Sequence, residues 1–361
     1  MTKPQNGSID EVVFDATFRA LQDAGVSRAE VDLSVVASID LFDGTAMSNS
    51  VTTPSAAGWM TNEYRLEDDA GVALVSAGAA IAAGDAEIAI VVGLHYPASG
   101  ASFALAEQEF AERVAALSLE PLYERPVGLT ATTSLALHAA RQLALGETTI
   151  EEMATIAANE ISRGSGRPRS GRRTVATAEQ VLASPQVSSP ITELMLPAPV
   201  SGAIALVLAS PARAQLCPRP RAAIRGHGIS NGGNGAVNEW VTDPQASTRR
   251  AAAAAYRRAD VDFPNREFDV VEFTAPTPAL VDPLCEALGI DWAPNDARLN
   301  PSGGARSAYA GAANGALRVL EAVDWLDNHG RRGSRALVHS VDNLTGPIGA
   351  TSTVHVLERV S

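Results

Sequence analysis

Between Asp69 and Gly93 lies a run of small and aliphatic residues, Ala70–Ala83, closed by Gly84 and followed at once by Ile88-Ala-Ile-Val-Val-Gly93. The first part reads as a helix with a glycine stop, the second as a buried strand. Asp68 and Asp69 stand at the helix start, where capping and the helix dipole account for acidic side chains. The same order occurs upstream. Val12, Val13, Ala16, Leu21 and Ala24 recur at helical spacing over Ile9–Ala24, Gly25 ends that segment, and Val31–Ile39 is a β-branched strand. Residues 42–60, rich in Gly, Ser, Thr and Pro, form a loop. Helix, strand, helix, strand implies a mainly parallel sheet.

Residues 95–200 break this rhythm. Ala101–Ala116, Thr130–Leu145, Ile150–Arg163 and Ala178–Ala183 are helical, and the region reads as an excursion laid over the sheet. Within it Arg163, Arg167, Arg169, Arg172 and Arg173 cluster among glycines and serines. Guanidinium groups match phosphate bidentately, so the cluster suits a phosphate-bearing ligand such as coenzyme A; a solvated loop is the plain alternative. Sheet signals resume at Gly202–Ala209 and Arg221–Arg225. A helix at Ala246–Arg258, a strand at Phe268–Phe273, a helix at Leu280–Leu288, a long helix at Gly315–Asn328, and strands at Arg335–Ser340 and Thr353–Arg359 complete the chain. Asn300-Pro-Ser-Gly303-Gly304 interrupts them. Adjacent glycines permit positive φ, and a helix starting there would offer free N–H groups to a carbonyl, carboxylate or phosphate; the alternative is a tight turn before a packed helix. The expected organisation is two α/β halves, residues 1–94 with 201–220 and residues 221–361, separated by an insertion at 95–200.

With 361 residues, 46% hydrophobic, the chain is long enough for two such cores. A net charge of −13 argues against general nucleic-acid binding. Cys217 and Cys285 are the only cysteines, too few for a disulfide framework or a cysteine zinc site. No run of about 18 apolar residues spans a membrane, and residues 1–10 lack a signal pattern, so a cytoplasmic, reducing setting is expected. The histidines form no metal pattern, and no bound cofactor is expected. His95 follows a strand end where open α/β sheets place ligands. His227 in its glycine-rich region and His339 beside Asp342 are the other histidines with a plausible site, each also explicable as structural.

In order along the chain, these motifs resemble the thiolase superfamily, particularly sterol-carrier-type thiolases and thiolase-like lipid-transfer proteins. Asp69-Ala-Gly71 through Gly93 resembles the nucleophile helix and the strand after it. Thr174–Leu208 resembles the return from the loop domain, Asp269-Val-Val-Glu272 the strand leading to the Asn-Glu-Ala-Phe or His-Asp-Cys-Phe motif, and Asn300-x-x-Gly303-Gly304 the turn before Gly-His-Pro. The resemblance implies an α/β fold of two pseudo-symmetric halves with layered helices and a largely helical loop-domain insertion. It also implies a first strand lying centrally in the first-half sheet, for which residues 1–8 are too short and polar.

The departures bear on chemistry. The acyl-carrying cysteine position falls at Asp68, the carbonyl-orienting Asn or His at Thr274, the Gly-His-Pro histidine at Tyr309, and the C-terminal acid/base cysteine near Asp342. Ordinary thiolase chemistry needs a thiolate, and none is placed. A retro-aldol cleavage of a β-hydroxyacyl-CoA needs only a base and a way to stabilise an enolate. The resembling aldolases are expected to carry a tyrosine at the position of Tyr309; their second tyrosine would fall at Thr274. The resemblance thus implies a coenzyme A thioester as substrate, Tyr309, His339 and Asp342 as catalytic candidates, and His95, Asn300, Gly303, Gly304 and Gly346 as pocket residues. An acyl-CoA lyase, with an OB-fold acyl-CoA-associated partner, is the first expectation. A non-catalytic subunit, homodimeric or paired with a thiolase-like neighbour, is the second, and an acyltransferase the last.

Overall fold

A computed structural model describes residues 8–40, 49–96, 116, 119–232, 243–293, 295–342 and 351–360. Helix α1 (Ile9–Ala24) starts on a Ser8–Glu11 capping box and stops at Gly25 in the left-handed conformation, as its sequence dictates. Strands β1 (Leu33–Ala37) and β2 (Asn62–Leu66), helix α2 (Ala70–Ala83) and strand β3 (Ile88–His95) follow. The excursion contributes α3 (Ala131–Leu145), α4 (Ile150–Gly164), α5 (Ala178–Ala183) and a small hairpin of β4 (Gln186–Ser188) and β5 (Ile191–Thr192). Then come β6 (Gly202–Ala209), β7 (Ala222–Asn231), α6 (Ala246–Ala259), β8 (Val270–Glu272), α7 (Val281–Leu288), α8 (Asn314–His329), β9 (Arg335–Val341) and β10 (Thr351–Arg359). The helix expected at Ala101–Ala116 falls almost wholly outside the described residues.

Two four-stranded sheets result, ordered β2-β1-β3-β6 and β7-β10-β9-β8. Strands β2, β1 and β3 are mutually parallel and β6 is antiparallel to β3. In the second sheet β8 is parallel to β9, while β10 is antiparallel to both β9 and β7. The first sheet is therefore mainly parallel, as expected, with β6 its one antiparallel strand among the described residues, and the second sheet is mixed. The chain between β9 and β10 is too short for a crossover helix, so those neighbours pair antiparallel.

The core is layered. Helix α1 packs on the outer face of the first sheet with Val12, Val13 and Leu21 against Val36, Ile90 and Val92. Helices α2 and α8 lie between the sheets, where Ala73, Leu74, Ala77, Ala316 and Leu317 meet Val35, Val91, Val338 and Leu357. The outer face of the second sheet is covered by α6, α7 and the excursion helices α3 and α4. The small-residue composition of α2 now has a cause. A Cβ at Gly71 would come within 2.3 Å of Thr353 Oγ1 on β10, so only glycine lets the helix lie that close.

Matching β1, β3 and β6 to β8, β9 and β10 superposes three strands of each sheet and leaves β2 of the first and β7 of the second without counterparts. The expectation of a central missing strand is corrected by this. The centre is closed, because β1 pairs directly with β3 from Leu33↔Ala89 to Ala37↔Gly93. The asymmetry lies at the outer edge of β6, which has no neighbouring strand among the described residues.

Candidate functional site

The two halves meet at the first turns of α2 and α8, and one side chain joins them. Asp69 caps α2, its Oδ1 accepting from Gly71 N–H at 2.8 Å. The same oxygen accepts from the Ser340 hydroxyl of β9 at 2.8 Å, and Oδ2 accepts from Gly315 N–H of α8 at 2.9 Å. Burial pushes the Asp69 carboxyl up to about 7, against the pull of these three donors. The end of β3 closes on the same place. A Cβ at Gly93 would lie 2.9 Å from Ala313 Cα and 2.9 Å from Ala70 Cβ.

Asp68 is not the cap. It is half-buried, accepts the Asp69 N–H at 2.7 Å, and is pushed up to about 6, first by burial and then by the charge of Asp342. Asp342 follows β9 directly, two residues after Ser340, so strand alternation sends both toward the start of α2. Its own N–H donates to Thr351 O at 2.9 Å, which fixes the backbone there. Two carboxylates thus lie within reach of each other's charge at the positions where the resemblance puts two cysteines. His95 ends β3 nearby with its ring against Gly311, whose absent Cβ would meet Nδ1 at 2.2 Å. Tyr309, half-buried, lies two residues before that contact, its backbone bridging Pro199 of the excursion's return. Asp342 and His95 thus stand at the carboxyl ends of β9 and β3, where such sheets usually place ligands, and Asp68 is close enough to Asp342 to feel its charge.

Other predicted residues go elsewhere. Leu337 packs with α6 and α7 while Val338 packs between the sheets, so the alternation of β9 puts His339 on the opposite face from Ser340. His339 and Asp342 do not converge. Thr274 accepts from Asn314 Nδ2 at 2.7 Å and donates to His339 O at 3.5 Å; its hydroxyl is spent inside the chain. Gly346 lies outside the described residues. His227 pairs across the sheet with His355 and lies beside Gly78, further along α2.

The Asn300–Gly304 turn is an internally satisfied structure rather than an open anion cradle. Ser302 N–H donates to Glu272 Oε1 at 2.9 Å, Gly303 N–H to Asn300 O at 2.9 Å, and Gly304 N–H to Ser302 Oγ at 3.3 Å. Gly303 has φ +93° and its absent Cβ would meet Glu160 O at 2.4 Å, so the glycine lets α4 approach the turn. Two buried ion pairs hold it: Glu160 with Arg306, and Glu272 with Arg318 at 3.1 Å. Asn300 adds bonds to Glu160 at 2.7 Å and to Phe273 N–H at 2.8 Å. Sequence reading passed over Arg318 and Arg306, although a charge inside Gly315-Ala-Leu-Arg-Val-Leu and one opposite it in Val-Val-Glu272 is a detectable signal of a buried pair.

The arginine cluster is likewise engaged within the chain. Arg163 donates to Leu299 O at 2.6 Å, Arg172 to Arg306 O at 2.9 Å, and Arg169 pairs with Glu321 at 2.6 Å and also with Asp324. Arg167 reaches Glu321 at 3.4 Å with 38% of its side chain exposed, and Arg173 is exposed. Neither cysteine is at the junction. Burial pushes the Cys285 thiol well above its ordinary value, and Cys217 donates to Arg213 O at 3.5 Å. Among the described residues no three metal-ligating side chains gather, and no helix is long and apolar enough to cross a membrane.

No protein-family profile matches the chain, and no curated protein matches it in sequence. Solved structures do match. The Ltp2–ChsH2(DUF35) aldolase aligns with a TM-score of 0.79 at 19% identity, covering 99% of this chain and 94% of that one. A monomeric SCP2-thiolase-like protein type 1 from Mycobacterium smegmatis gives 0.74 at 19% identity, covering 99% and 75%. The acetyl-CoA acetyltransferase of Bacillus anthracis gives 0.71 at 15% identity, covering 99% and 94%. The chain has a thiolase-like fold, as its ordered motifs imply.

Proposed function

We propose that this protein cleaves the Cα–Cβ bond of a β-hydroxyacyl-CoA by a retro-aldol step. The observation that carries the reading is Asp68, a carboxyl with raised proton affinity set against Asp342 at the junction of the two halves. A base near neutrality suits removal of a β-hydroxyl proton. In the forward step the O–H electron pair forms the carbonyl of an aldehyde or ketone, the Cα–Cβ pair passes to the thioester as an enolate, and the proton rests on the carboxylate pair. Return of that proton to Cα releases the shortened acyl-CoA. Nothing is oxidised or reduced. Tyr309 is assigned as the donor to the developing oxyanion, and the exposed Arg173, with the half-buried Arg167 beside it, as the groups meeting the nucleotide phosphates. The aldolase among the similar structures supports the reaction class, and its two-component name supports a partner protein for this chain, for which an OB-fold acyl-CoA-associated protein is our candidate.

Incubation with a β-hydroxyacyl-CoA, with that partner present, is expected to release a carbonyl product. Asp68→Asn should lower kcat/KM by about 10²-fold or more. Because the base must be ionised, kcat/KM should rise with pH through about 6. No carbonyl product from the wild-type protein would overturn the reading. The locked Thr274 hydroxyl and the internally paired arginines favour a second one, a non-catalytic subunit paired with an active thiolase-like chain. Co-purification of such a chain, with no turnover by this one, distinguishes it.

A further inference from the structure

Strand β6, Gly202–Ala209, has β3 on one side and no neighbouring strand on the other among the described residues. Ser210 N–H donates to Glu87 O at 2.8 Å, next to the Ile88↔Ala209 pair, which sets the phase of this antiparallel ladder. Gly202, Ile204, Leu206 and Leu208 therefore bond to β3, while Ala203, Ala205, Val207 and Ala209 turn their N–H and C=O groups outward. Both faces of the strand are nevertheless covered. Ala203, Ala205 and Val207 pack with α1, and Ile204, Leu206 and Leu208 pack into the core shared with α8. What stays open is a lateral slot between two helices, and every residue from Ala205 to Ala209 is partly exposed.

Two observations mark this edge as one that takes a further strand. The first is its composition. Exposed sheet edges are normally guarded by charge, proline or a bulge. Edge strand β2 carries Glu63 and Arg65, β7 places Arg225 at a register shift, and β8 is bridged at Val271 by Leu299. β6 reads Gly-Ala-Ile-Ala-Leu-Val-Leu-Ala and pairs without a shift. The second is the other half of the molecule. The strand matched to β6 there is β10, and β7 fills its outer edge as an antiparallel strand from Thr351↔Asn231 to Arg359↔Ala222.

We infer that the outer edge of β6 docks an extended segment of a separate protein chain as an added antiparallel strand. A second copy does not fit. α1 lies chiefly over β6, and packed helices need about 8–10 Å between axes, whereas paired strands lie about 4.8 Å apart. Antiparallel pairing of two β6 edges would drive the two α1 helices into each other. A segment without a covering helix meets no such clash. Its chemistry follows from the slot: apolar side chains beside Leu206 and Leu208 on one face, small ones beside Ala203 and Ala205 on the other, and no charge or proline between. An antiparallel strand there ends beside Gly202, the register partner of His95, so the donor is held at the end of the sheet that carries His95. Identifying the donor with the partner of the proposed lyase rests on that reading; the open edge does not.

Hydrogen exchange on the full chain tests this, with a soluble peptide alternating valine and alanine between terminal lysines as the probe. In the free protein the N–H groups of Ala203, Ala205, Val207 and Ala209 should exchange fast, and those of Ile204, Leu206 and Leu208 slowly. Peptide at about ten times its Kd should slow the outward set about tenfold and leave the inward set unchanged. Val207→Pro removes an outward donor but no bond to β3, so it should keep the fold and lose most of that protection. The fully N-methylated peptide, which cannot donate to the edge, should not protect the wild-type protein at all. Outward amides already slow in the free protein would mean that the chain itself or a second copy covers the edge, and would overturn the proposal. So would no protection by the peptide, or equal protection by its N-methylated form. Exchange needs no turnover, so protection without carbonyl release in the lyase assay rejects the lyase reading alone, and release without protection rejects the docking edge alone.

Discussion

Replacing Asp69 by asparagine should destabilise the protein by about 1–3 kcal/mol near pH 5, because an amide turns a donor toward the buried Gly315 N–H. The Oδ1 bonds to Gly71 and Ser340 can persist, so the loss isolates the link to α8. The cost should also depend on pH. The folded-state value of Asp69, about 7, lies above its ordinary value of 3.8. The native state therefore binds the proton more tightly than the unfolded chain, and the stability this confers is complete below about pH 4 and lost as pH rises through about 7. Asparagine has no such term. Urea midpoints for the two proteins should be furthest apart near pH 4 and draw together toward pH 8. A gap that widens with pH would mean that the carboxylate is favoured as an anion, against its burial.

The second large effect is expected at the excursion's anchor. Arg306 is fully buried, its guanidinium paired with Glu160 and donating to Ala275 O at 2.5 Å. Arg306→Met leaves the Glu160 carboxylate buried without its cation, at a cost of about 3–5 kcal/mol. The double variant Glu160→Met, Arg306→Met removes both charges and should recover much of that loss, since desolvating the pair is itself expensive. Chemical denaturation of the three proteins at one pH gives the comparison. If the single variant loses less than about 1 kcal/mol, in the range of exposed pairs, water reaches the site and the pair is not a buried anchor.

Much of the architecture was legible because its signals are local. Ile9–Ala24 has both its capping serine and its stop glycine in sequence, and Ala70–Ala83 has Asp69 and Gly84. Strand β2, Asn-Glu-Tyr-Arg-Leu, escaped notice because an edge strand half-exposed to solvent carries no apolar alternation. Strand β7 runs well past Arg225 because its glycines serve packing: Gly228 lets Ala251 O of α6 come where a Cβ would lie 1.9 Å away. The site was less legible for a geometric reason. His339 and Asp342 are close in sequence, yet strand alternation separates their faces, a distinction that depends on which face of β9 meets α2. The Asp68–Asp342 encounter joins residues far apart in the chain, and only the fold brings them together. The Gly303–Gly304 turn announced itself correctly as a special backbone. What the sequence could not disclose was that Glu272 and Asn300 already take the donors such a turn might have offered a ligand.

The pairing of β3 with β6 has an evolutionary consequence. His95 and Gly202 are register partners, so the chain leaves the first half and re-enters it across one rung of the sheet. Whatever is spliced between those two residues need not stretch or reorient the scaffold to fit. The entropic cost of closing a longer loop grows only as the logarithm of its length. The excursion behaves as a cassette clipped into a fixed socket, with His95 at the clip.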